Sequence, residues 1–297
     1  MTPYHLYRFP AARVLVACAA LLSACGVPPQ AECFDATRVG DLPATLDEAS
    51  GIAVSRRDPG IIWAHNDSEG IATLYALDRD GALIAEIEMP AAGEQSDWED
   101  IAAGPCPAGD CLYIADIGDN LHDRQDRAIL RIAEPDVHAA GPIAIETYPI
   151  RYPDEPVDAE ALFVMPDTSV YIITKGRRQD ISLFRYPPPL RAGERVVLEH
   201  VQQLRAGVAQ VPDLVTAADA ARDGSRIAVR TYTRVMLYRF DGDTLALMSG
   251  AGGDLTSLGE PQGEGLAIAG GDTLLLATEA GPARAQPFLS RVVCSAR

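Results

Sequence analysis

The sequence predicts an all-β fold made of one repeated four-stranded unit. Short stretches rich in Val, Ile, Leu, Thr and Tyr alternate with Gly, Asp and Pro turns along the chain. Five segments share this organisation and follow one another at intervals of about 50 residues. One such sheet cannot bury both of its faces alone, so repeats of this length stack in a ring as blades of a β-propeller. We therefore predict a single β-propeller with five blades and, as the alternative, six.

Each repeat opens with a strand that follows polar or acidic residues. The stretch 97–120 illustrates this pattern, with acidic residues before a strand at 101–103 and after a strand at 112–115. The first strands are predicted within 48–54, 98–103, 158–164, 216–222 and 262–268. The second strands are predicted within 61–67, 112–115, 169–176, 226–232 and 273–279. The outer strands are predicted within 73–81, 82–89, 128–135, 142–150, 182–187, 195–203, 235–243, 244–249 and 287–293.

The fifth repeat has three strands, so its outer strand must come from elsewhere. We predict that the segment 33–40 supplies this strand and closes the ring within the last blade. Cys33 and Cys294 would then meet and form a disulfide, while Cys106 and Cys111 flank a hairpin turn and pair locally. The alternative is four free buried thiols. A zinc site is disfavoured because no His lies near either pair of cysteines.

The N-terminal segment has the features of an export signal. Arg8 and Arg13 precede a short apolar run at 14–22, which is too short to span a membrane. The sequence Leu22–Gly26 resembles the lipobox of bacterial lipoproteins, which implies removal of residues 1–24 and lipidation of Cys25. Residues 25–32 would then be a linker and residues 33–297 the propeller. The alternative is an ordinary secretory signal that is cleaved near Ala24.

The lipoprotein resemblance implies a protein anchored to the cell envelope by its lipid. In a Gram-negative cell, Gly26 after the cysteine favours the periplasmic side of the outer membrane. The formal net charge of -17 would repel phosphate backbones, so we expect no nucleic-acid partner. We expect a monomer whose partner is a small molecule, a glycan or a protein.

Hairpin geometry places the predicted acidic residues at one end of the ring. The start of each first strand and the end of each second strand lie on the same face, near the axis, and we call this end the mouth. Carboxylate and amide oxygens are typical Ca²⁺ ligands. We therefore predict a Ca²⁺ site formed by some of Glu99, Glu160, Asp219 and Glu264, with Asn66 or Asp116. The alternative is that these acids cap turns by accepting backbone amide hydrogen bonds.

Further residues of the predicted mouth are candidates for ligand binding. Lys175 is the only lysine in the chain, and Arg230 is predicted at the matching position one blade later. This basic pair would hold an anionic group or polarise a carbonyl, or it would simply balance charge near Glu160. The other candidates are His65 as a general base, Asp67 and Glu279. Trp98 is expected to pack between blades or, alternatively, to stack on a sugar at the mouth.

The repeated phrases resemble known groups of propellers. Segments such as EASGIAV with IIWAHNDS, DWEDIA with YIADIGDN and QGEGLAI with LLLATE are similar to calcium-dependent gluconolactonase, paraoxonase and phytase-like propellers, and to uncharacterised bacterial exported propellers. The resemblance covers about residues 45–280. It implies a catalytic Ca²⁺ held by a Glu at the start of an inner strand, a position that Glu99, Glu160 and Glu264 share. Those enzymes have six blades, whereas this chain has five repeats.

No complete catalytic motif accompanies the acidic positions. The chain contains no Gly-x-Ser-x-Gly elbow, phosphate loop, His-Glu-x-x-His motif or dinucleotide-binding fingerprint. We therefore expect an envelope propeller that binds a ligand or partner at its acidic mouth, with Ca²⁺ as a candidate cofactor. The alternative function is Ca²⁺-dependent hydrolysis of a small ester, lactone or sugar.

Overall fold

A computed structural model describes residue 1 and residues 31–296, except residue 69, residues 94–96, residue 122 and residues 139–140. The described residues do not include residues 2–30, which contain Cys25 and most of the predicted leader and linker, or residue 297. Among the described residues there is no α-helix, and no helix is long and apolar enough to cross a membrane. Three short 3-10 turns occupy Pro90–Ala92, Val211–Asp213 and Thr256–Leu258.

The strands form five blades, which confirms the predicted count. An N-terminal strand, β1 (Ala31–Asp41), precedes blade 1, which comprises β2 (Ala49–Val54), β3 (Ile62–Asn66), β4 (Thr73–Leu77) and β5 (Leu83–Glu88). Blade 2 comprises β6 (Trp98–Cys106), β7 (Gly109–Asp116), β8 (Ala128–Ala133) and β9 (Ile145–Arg151). Blade 3 comprises β10 (Ala159–Val164), β11 (Val170–Thr174), β12 (Ile181–Arg185) and β14 (Glu199–Arg205), while β13 (Val196–Val197) joins blade 2. Blade 4 comprises β15 (Val215–Ala220), β16 (Ile227–Thr231), β17 (Arg234–Asp241) and β18 (Thr244–Asp254). Blade 5 comprises β19 (Gln262–Gly270), β20 (Thr273–Glu279) and β21 (Phe288–Ala296), and β1 completes it.

The ring closes as the sequence predicts. Strand β1 pairs antiparallel with β21, with Cys33 opposite Cys294, and the two cysteines form a disulfide. Strand β1 also pairs in parallel with β18, which joins the sheets of blades 4 and 5. A second disulfide links Cys106 and Cys111 in the β6–β7 hairpin. Two disulfides indicate an exported, non-cytoplasmic protein.

The predicted strand at 195–203 is divided between two blades. Strand β13 pairs in parallel with β9 of blade 2, whereas β14 pairs with β12 of blade 3. Val196 and Leu198 are buried between the two blades, so the apolar residues at the start of this segment fix the crossing.

The core consists of apolar clusters between neighbouring blades. Each of the five clusters found among the described residues draws on two adjacent blades, and together they complete the circuit. Inner strands are therefore covered on both faces, and β10 is buried at every position. The inner strands β2, β6, β10, β15 and β19 contact one another around the axis. Their ends form the mouth.

Candidate acidic site at the mouth

A β-bulge near the start of every inner strand sets the geometry of the mouth. In each blade, the register between the first and second strands shifts by one residue. A bulge of this kind re-aims a side chain. The equivalent bulge positions are Ser50, Glu99, Glu160, Thr216 and Glu264.

The structure corrects the position of blade 4 in the predicted repeat. Strand β15 begins at Val215, so Thr216 and not Asp219 corresponds to the bulge glutamates. Two equivalent hydrogen bonds support this alignment: Ser50 Oγ donates to the carbonyl of Glu99 (2.7 Å), and Thr216 Oγ1 donates to the carbonyl of Glu264 (3.1 Å). The predicted placement of Asp219 was wrong because the segment TAADAA has no carboxylate at its bulge.

Asp219 binds backbone amides away from the bulge. Its carboxylate accepts hydrogen bonds from the backbone N–H of Ile268 (2.8 Å) and Ala220 (2.8 Å), which ties blade 4 to blade 5. Asp100 is similar, since its carboxylate accepts from the backbone N–H of Leu162, Ala218 and Ile101 at 2.9–3.1 Å. These two acids connect inner strands by accepting backbone amide hydrogen bonds.

Two further sets of equivalent positions border the bulges. The exit positions lie at the end of the second strands and are Asp67, Ile117, Lys175, Tyr232 and Glu279. The preceding positions lie two residues before each bulge position and are Glu48, Asp97, Asp158, Leu214 and Gln262. The backbone N–H of Asp67 donates to the carbonyl of Glu48 (2.9 Å), and that of Lys175 donates equivalently to Asp158 (3.0 Å).

Arg230 does not match Lys175, and the prediction that pairs them at the mouth was wrong. The residue equivalent to Lys175 is Tyr232, while Arg230 lies two positions earlier and is fully buried. Its guanidinium donates to the backbone carbonyls of Gly265 (2.8 Å) and Ala277 (3.1 Å) and pairs with Glu260. Arg230 therefore holds blade 4 against blade 5.

The acidic residues form two adjoining triads. One oxygen from each of Asp67, Asp97 and Glu99 lies within 4.8 Å of the others, and we call this group the first triad. The second triad, Glu99, Asp158 and Glu160, meets the same criterion. Glu99 belongs to both. Sequence reasoning missed Asp97 and Asp158 as site residues, although their shared offset of two residues before a bulge glutamate is visible in the sequence.

Burial and mutual repulsion raise the pKa values of these carboxyl groups. Desolvation, followed by the nearby charge of Asp97, raises the pKa of Asp67 to about 8. Desolvation raises the pKa of Glu160 to about 7, although Lys175 opposes the shift, and holds the pKa of Glu99 well above its usual range. Asp67 hydrogen-bonds Asp97, and Glu99 hydrogen-bonds Glu160. Each carboxyl–carboxylate hydrogen bond requires one proton.

A third carboxyl pair lies on the blade 5 side of the mouth. Desolvation raises the pKa of Glu264 to about 8 and that of Glu279 to about 7, and the two side chains hydrogen-bond each other. Gln262 Nε2 donates to Glu264 Oε1 (2.8 Å) and also to Glu279. Glu264 thus lies outside both triads but within the same mouth.

Lys175 and Arg124 partly neutralise the mouth. Lys175 is buried and pairs with Glu160, and the surrounding carboxylates hold the pKa of the ammonium well above its usual range despite desolvation. Arg124 contacts Asp116 at 2.7 Å and Asp97 at 3.7 Å. Asp116, a predicted metal ligand, is therefore engaged in an ion pair beside the first triad.

The other candidates have structural contacts. Asn66 Nδ2 donates to the carbonyl of Thr45 (2.9 Å), and its Oδ1 accepts from the backbone N–H of Glu48 (3.2 Å). His65 is fully buried, and desolvation lowers its pKa to about 4, so it stays neutral at pH 7. Its ring packs edge-on against Trp98, which is itself buried between blades. This packing excludes Trp98 as a platform for a sugar at the mouth.

A glycine provides space beside the first triad. A Cβ on Gly118 would lie 2.0 Å from Glu99 Oε1 and 2.5 Å from Asp97 Oδ2. Gly118 is not among the residues with positive φ, so close approach and not backbone conformation requires glycine here. The carboxylates of Asp97 and Glu99 consequently occupy space that any other residue would fill.

The donor set fits a hard divalent cation. All members of both triads offer carboxylate oxygens, which Ca²⁺ prefers. Asp158 is 2% exposed; its Oδ1 accepts from the backbone N–H of Asp119 (3.1 Å), while Oδ2 has no hydrogen-bond partner. Buried polar atoms are normally satisfied, so this oxygen is available to an ion or water.

A cleft of about 570 Å³ adjoins the mouth between blades 5 and 1. Its lining includes Glu48, Gln262 and Glu279 from the mouth and Asp47 and Arg284 from the surrounding loops. This volume is within the range of small-molecule sites. The mouth can thus present carboxyl groups to a ligand of modest size.

Comparison with known proteins identifies the fold. Neither a family model nor a curated protein matches the chain. The PQQ-bound aldose sugar dehydrogenase from Streptomyces coelicolor is similar in structure, with 14% identity and a TM-score of 0.53 over 90% of this chain and 100% of that chain. A glucose dehydrogenase matches with 12% identity and a TM-score of 0.50 over 88% and 100%. A putative 6-phosphogluconolactonase from Bacteroides uniformis matches with 12% identity and a TM-score of 0.38 over 76% and 63%.

The first two similarities support a propeller and extend no further than the fold. The class of protein that the fold and site define is an exported five-bladed β-propeller with a buried acidic mouth.

Proposed function

We propose that this protein is a lipid-anchored propeller of the cell envelope that binds Ca²⁺ and a small neutral ligand at its mouth. The observation that carries the proposal is the first triad, in which oxygens of Asp67, Asp97 and Glu99 lie within 4.8 Å of one another. Three carboxylates at this separation repel one another unless they bind protons or a cation. Ca²⁺ accepts six to eight oxygens, so three ligands leave positions for water or ligand oxygens.

The first triad is the better of the two sites for an exchangeable ion. Asp67 and Asp97 are partly exposed, so an ion can reach them from solvent. In the second triad, Glu160 already pairs with the buried ammonium of Lys175. When bound, Ca²⁺ would supply a Lewis acid at the mouth. The residues of this chain that would hold it are Asp67, Asp97 and Glu99.

The charge of the mouth favours a neutral, hydroxyl-rich ligand. Asp47, Glu48 and Glu279 line the adjoining cleft, with Arg284 as its cation. Such a surface repels anions. PQQ, the ligand of one structurally similar protein, carries three carboxyl groups and does not fit this environment. Hydroxyl groups of a sugar or lactone can instead hydrogen-bond the carboxylates and complete the coordination of Ca²⁺.

Calorimetric titration of Ca²⁺ into EDTA-treated protein tests the proposal. We expect binding that Glu99→Gln abolishes, because Glu99 is shared by both triads. Glu155→Gln is the matched control, since Glu155 is an exposed glutamate that belongs to neither triad. Absence of heat and of thermal stabilisation by Ca²⁺ in the unaltered protein would reject the proposal. Sugar and lactone panels titrated into the Ca²⁺-loaded protein then test the ligand class.

Hydrolysis of a small ester, lactone or sugar is the second candidate function. One observation favours it: Glu264 and Glu279 share a hydrogen bond beside the cleft, with pKa values raised to about 8 and about 7. A carboxyl group that titrates near neutral pH is suited to general acid–base catalysis. Chromogenic esters and lactones test this function, and Glu279→Gln should abolish any Ca²⁺-dependent turnover. Binding without turnover of any member of the panel would leave the ligand-binding function.

The lipid anchor is tested independently of the mouth. Lipidation of Cys25 would attach the protein to the membrane by several acyl chains, which anchor stably. Labelled palmitate should be incorporated by the unaltered chain and not by Cys25→Ser, and the two proteins should separate in detergent-phase partitioning. Absence of label from the unaltered chain would indicate a plain secretory signal, and equal labelling of both proteins would exclude Cys25 as the lipidated residue.

A further inference from the structure

We propose that the ammonium of Lys175 takes the place of a second metal ion at the mouth by pairing with Glu160, so that the protein binds one Ca²⁺ where its carboxylates would otherwise hold two. This inference rests on the proposed Ca²⁺ site in the first triad. The chain has a single lysine, and its ammonium lies among carboxylates at the end of an inner hairpin. Lys175 and Glu160 are both buried, so their contact is shielded from solvent.

The geometry of the second triad is that of a cation site. Oxygens of Glu99, Asp158 and Glu160 lie within 4.8 Å of one another, as do those of the first triad. Asp158 is 98% buried, and its Oδ2 has no hydrogen-bond partner. Carboxylates so arranged in a low-dielectric setting require a counter-charge. Lys175 supplies part of that charge through its contact with Glu160, and Asp158 Oδ2 remains the ligand atom at which a second ion would bind once the ammonium is removed.

Charge balance explains why an ammonium is more suitable here than a second metal ion. The two triads contain five carboxyl groups and share Glu99, so their cation positions are adjacent. The repulsion between two ions scales with the product of their charges, and Ca²⁺ beside an ammonium repels half as strongly as Ca²⁺ beside Ca²⁺. A fixed lysine also holds the second triad together when Ca²⁺ is absent. The mouth can therefore release its ion without leaving all five carboxyl groups uncompensated.

Removing the ammonium should open the second position. We expect the unaltered protein to bind one Ca²⁺ and Lys175→Met to bind two, the second more weakly because it is adjacent to the first. Lys175→Arg keeps the charge and should bind one. A variant that is unstable without metal is purified in Ca²⁺, and its bound ions are counted by equilibrium dialysis without a chelation step. Lys175→Gln, which retains a donor for Glu160, provides a second variant with an expected stoichiometry of two.

Single substitutions then assign the two ions. In the unaltered protein, Asp67→Asn should remove the one ion. In Lys175→Met, Asp158→Asn should remove the second ion and leave the first. The stoichiometry is measured by calorimetry with CaCl₂, and the retained fold by the thermal transition of each Ca²⁺-loaded variant.

The outcomes separate this inference from the proposed function. One ion in both the unaltered protein and Lys175→Met overturns the role of Lys175 and leaves the Ca²⁺ site intact. If the unaltered protein binds no Ca²⁺ and Lys175→Met binds one, the proposed Ca²⁺ function is rejected and the role of Lys175 as a substitute cation is supported. No ion in either protein overturns both.

Discussion

Gly118 provides the sharpest test of the first triad, because it lies against two of the three proposed ligands. A Cβ at this position would come within 2.0 Å of Glu99 Oε1 and 2.5 Å of Asp97 Oδ2. Ordinary contact distances are about 3.5 Å, so in Gly118→Ala these oxygens must retreat by about 1 to 1.5 Å. Calcium–oxygen distances are about 2.4 Å and tolerate little of this displacement.

The expected result is a selective loss of Ca²⁺ affinity. Displacing two of three carboxylates should weaken binding between tenfold and hundredfold, or about 1.4 to 2.8 kcal/mol. The fold should survive, because Gly118 is not among the residues with positive φ and overpacking typically costs about 1–3 kcal/mol. Calorimetry of the EDTA-treated protein measures the affinity, and chemical denaturation measures the stability.

A matched glycine variant controls for the added methyl group. A Cβ on Gly141 would have no heavy atom within 4 Å, and Gly141 also lacks a positive φ. Gly141→Ala should therefore change neither affinity nor stability. If Gly118→Ala binds Ca²⁺ as tightly as Gly141→Ala, the ion does not lie between Asp97 and Glu99, and the reasoning about the first triad is wrong.

Three further predictions concern stability. Burial raises the pKa of Glu264 from 4.5 to about 8. The stabilising contribution of the protonated group is therefore complete below about pH 4.5 and is lost as the pH rises through 8. The Ca²⁺-free protein should consequently resist urea better at pH 5 than at pH 8. A midpoint that rises over this interval would contradict the assignment. Arg230→Leu should cost about 3–5 kcal/mol in denaturant unfolding, because it leaves Glu260 buried without its cation, and an unchanged midpoint would refute this role. Replacing both Cys33 and Cys294 by serine should lower the free energy of unfolding by about 5 kcal/mol, because the unfolded chain loses a constraint. If this loss is smaller than the loss on removing the Cys106–Cys111 disulfide, ring closure is not the function of the long disulfide.

The fold was predictable because its signals are local and repeated. Short apolar strands, regular turns and a period near 50 residues identify the blades without knowledge of any contact. The deficit of one strand in the last repeat, together with Cys33 and Cys294, predicts the closure that β1 and β21 form. The division of the segment 195–203 between two blades was not predictable, since strand composition does not specify which neighbouring edge a strand will join.

The site was predictable only where the repeat is regular. Glu99 and Glu160 were identified because they share a position at the start of consecutive inner strands. Blade 4 has Thr216 at that position, and the nearest carboxylate, Asp219, was chosen in its place. The position of a bulge depends on how two strands pair. In blade 4 it follows from the pairing of Val215 with Thr231 and of Ala217 with Arg230, which the sequence does not specify. The same wrong register explains the incorrect alignment of Arg230 with Lys175.

The hydrogen-bond partners of the buried acids distinguish those that connect the blades from those that line the mouth. Asp100 and Asp219 lie within the inner strands, and their carboxylates accept backbone N–H groups from other blades, as structural acids do. Asp158 retains a buried oxygen, Oδ2, that has no hydrogen-bond partner. Leaving a buried acceptor unsatisfied costs about 1–3 kcal/mol. The fold accepts uncharged residues at these positions: blade 4 has Leu214 at the position equivalent to Asp158 and Thr216 at the position equivalent to the bulge glutamates. The fold therefore does not require a carboxylate at these positions in every blade, and the proposed Ca²⁺ site gives the acids of the mouth a role.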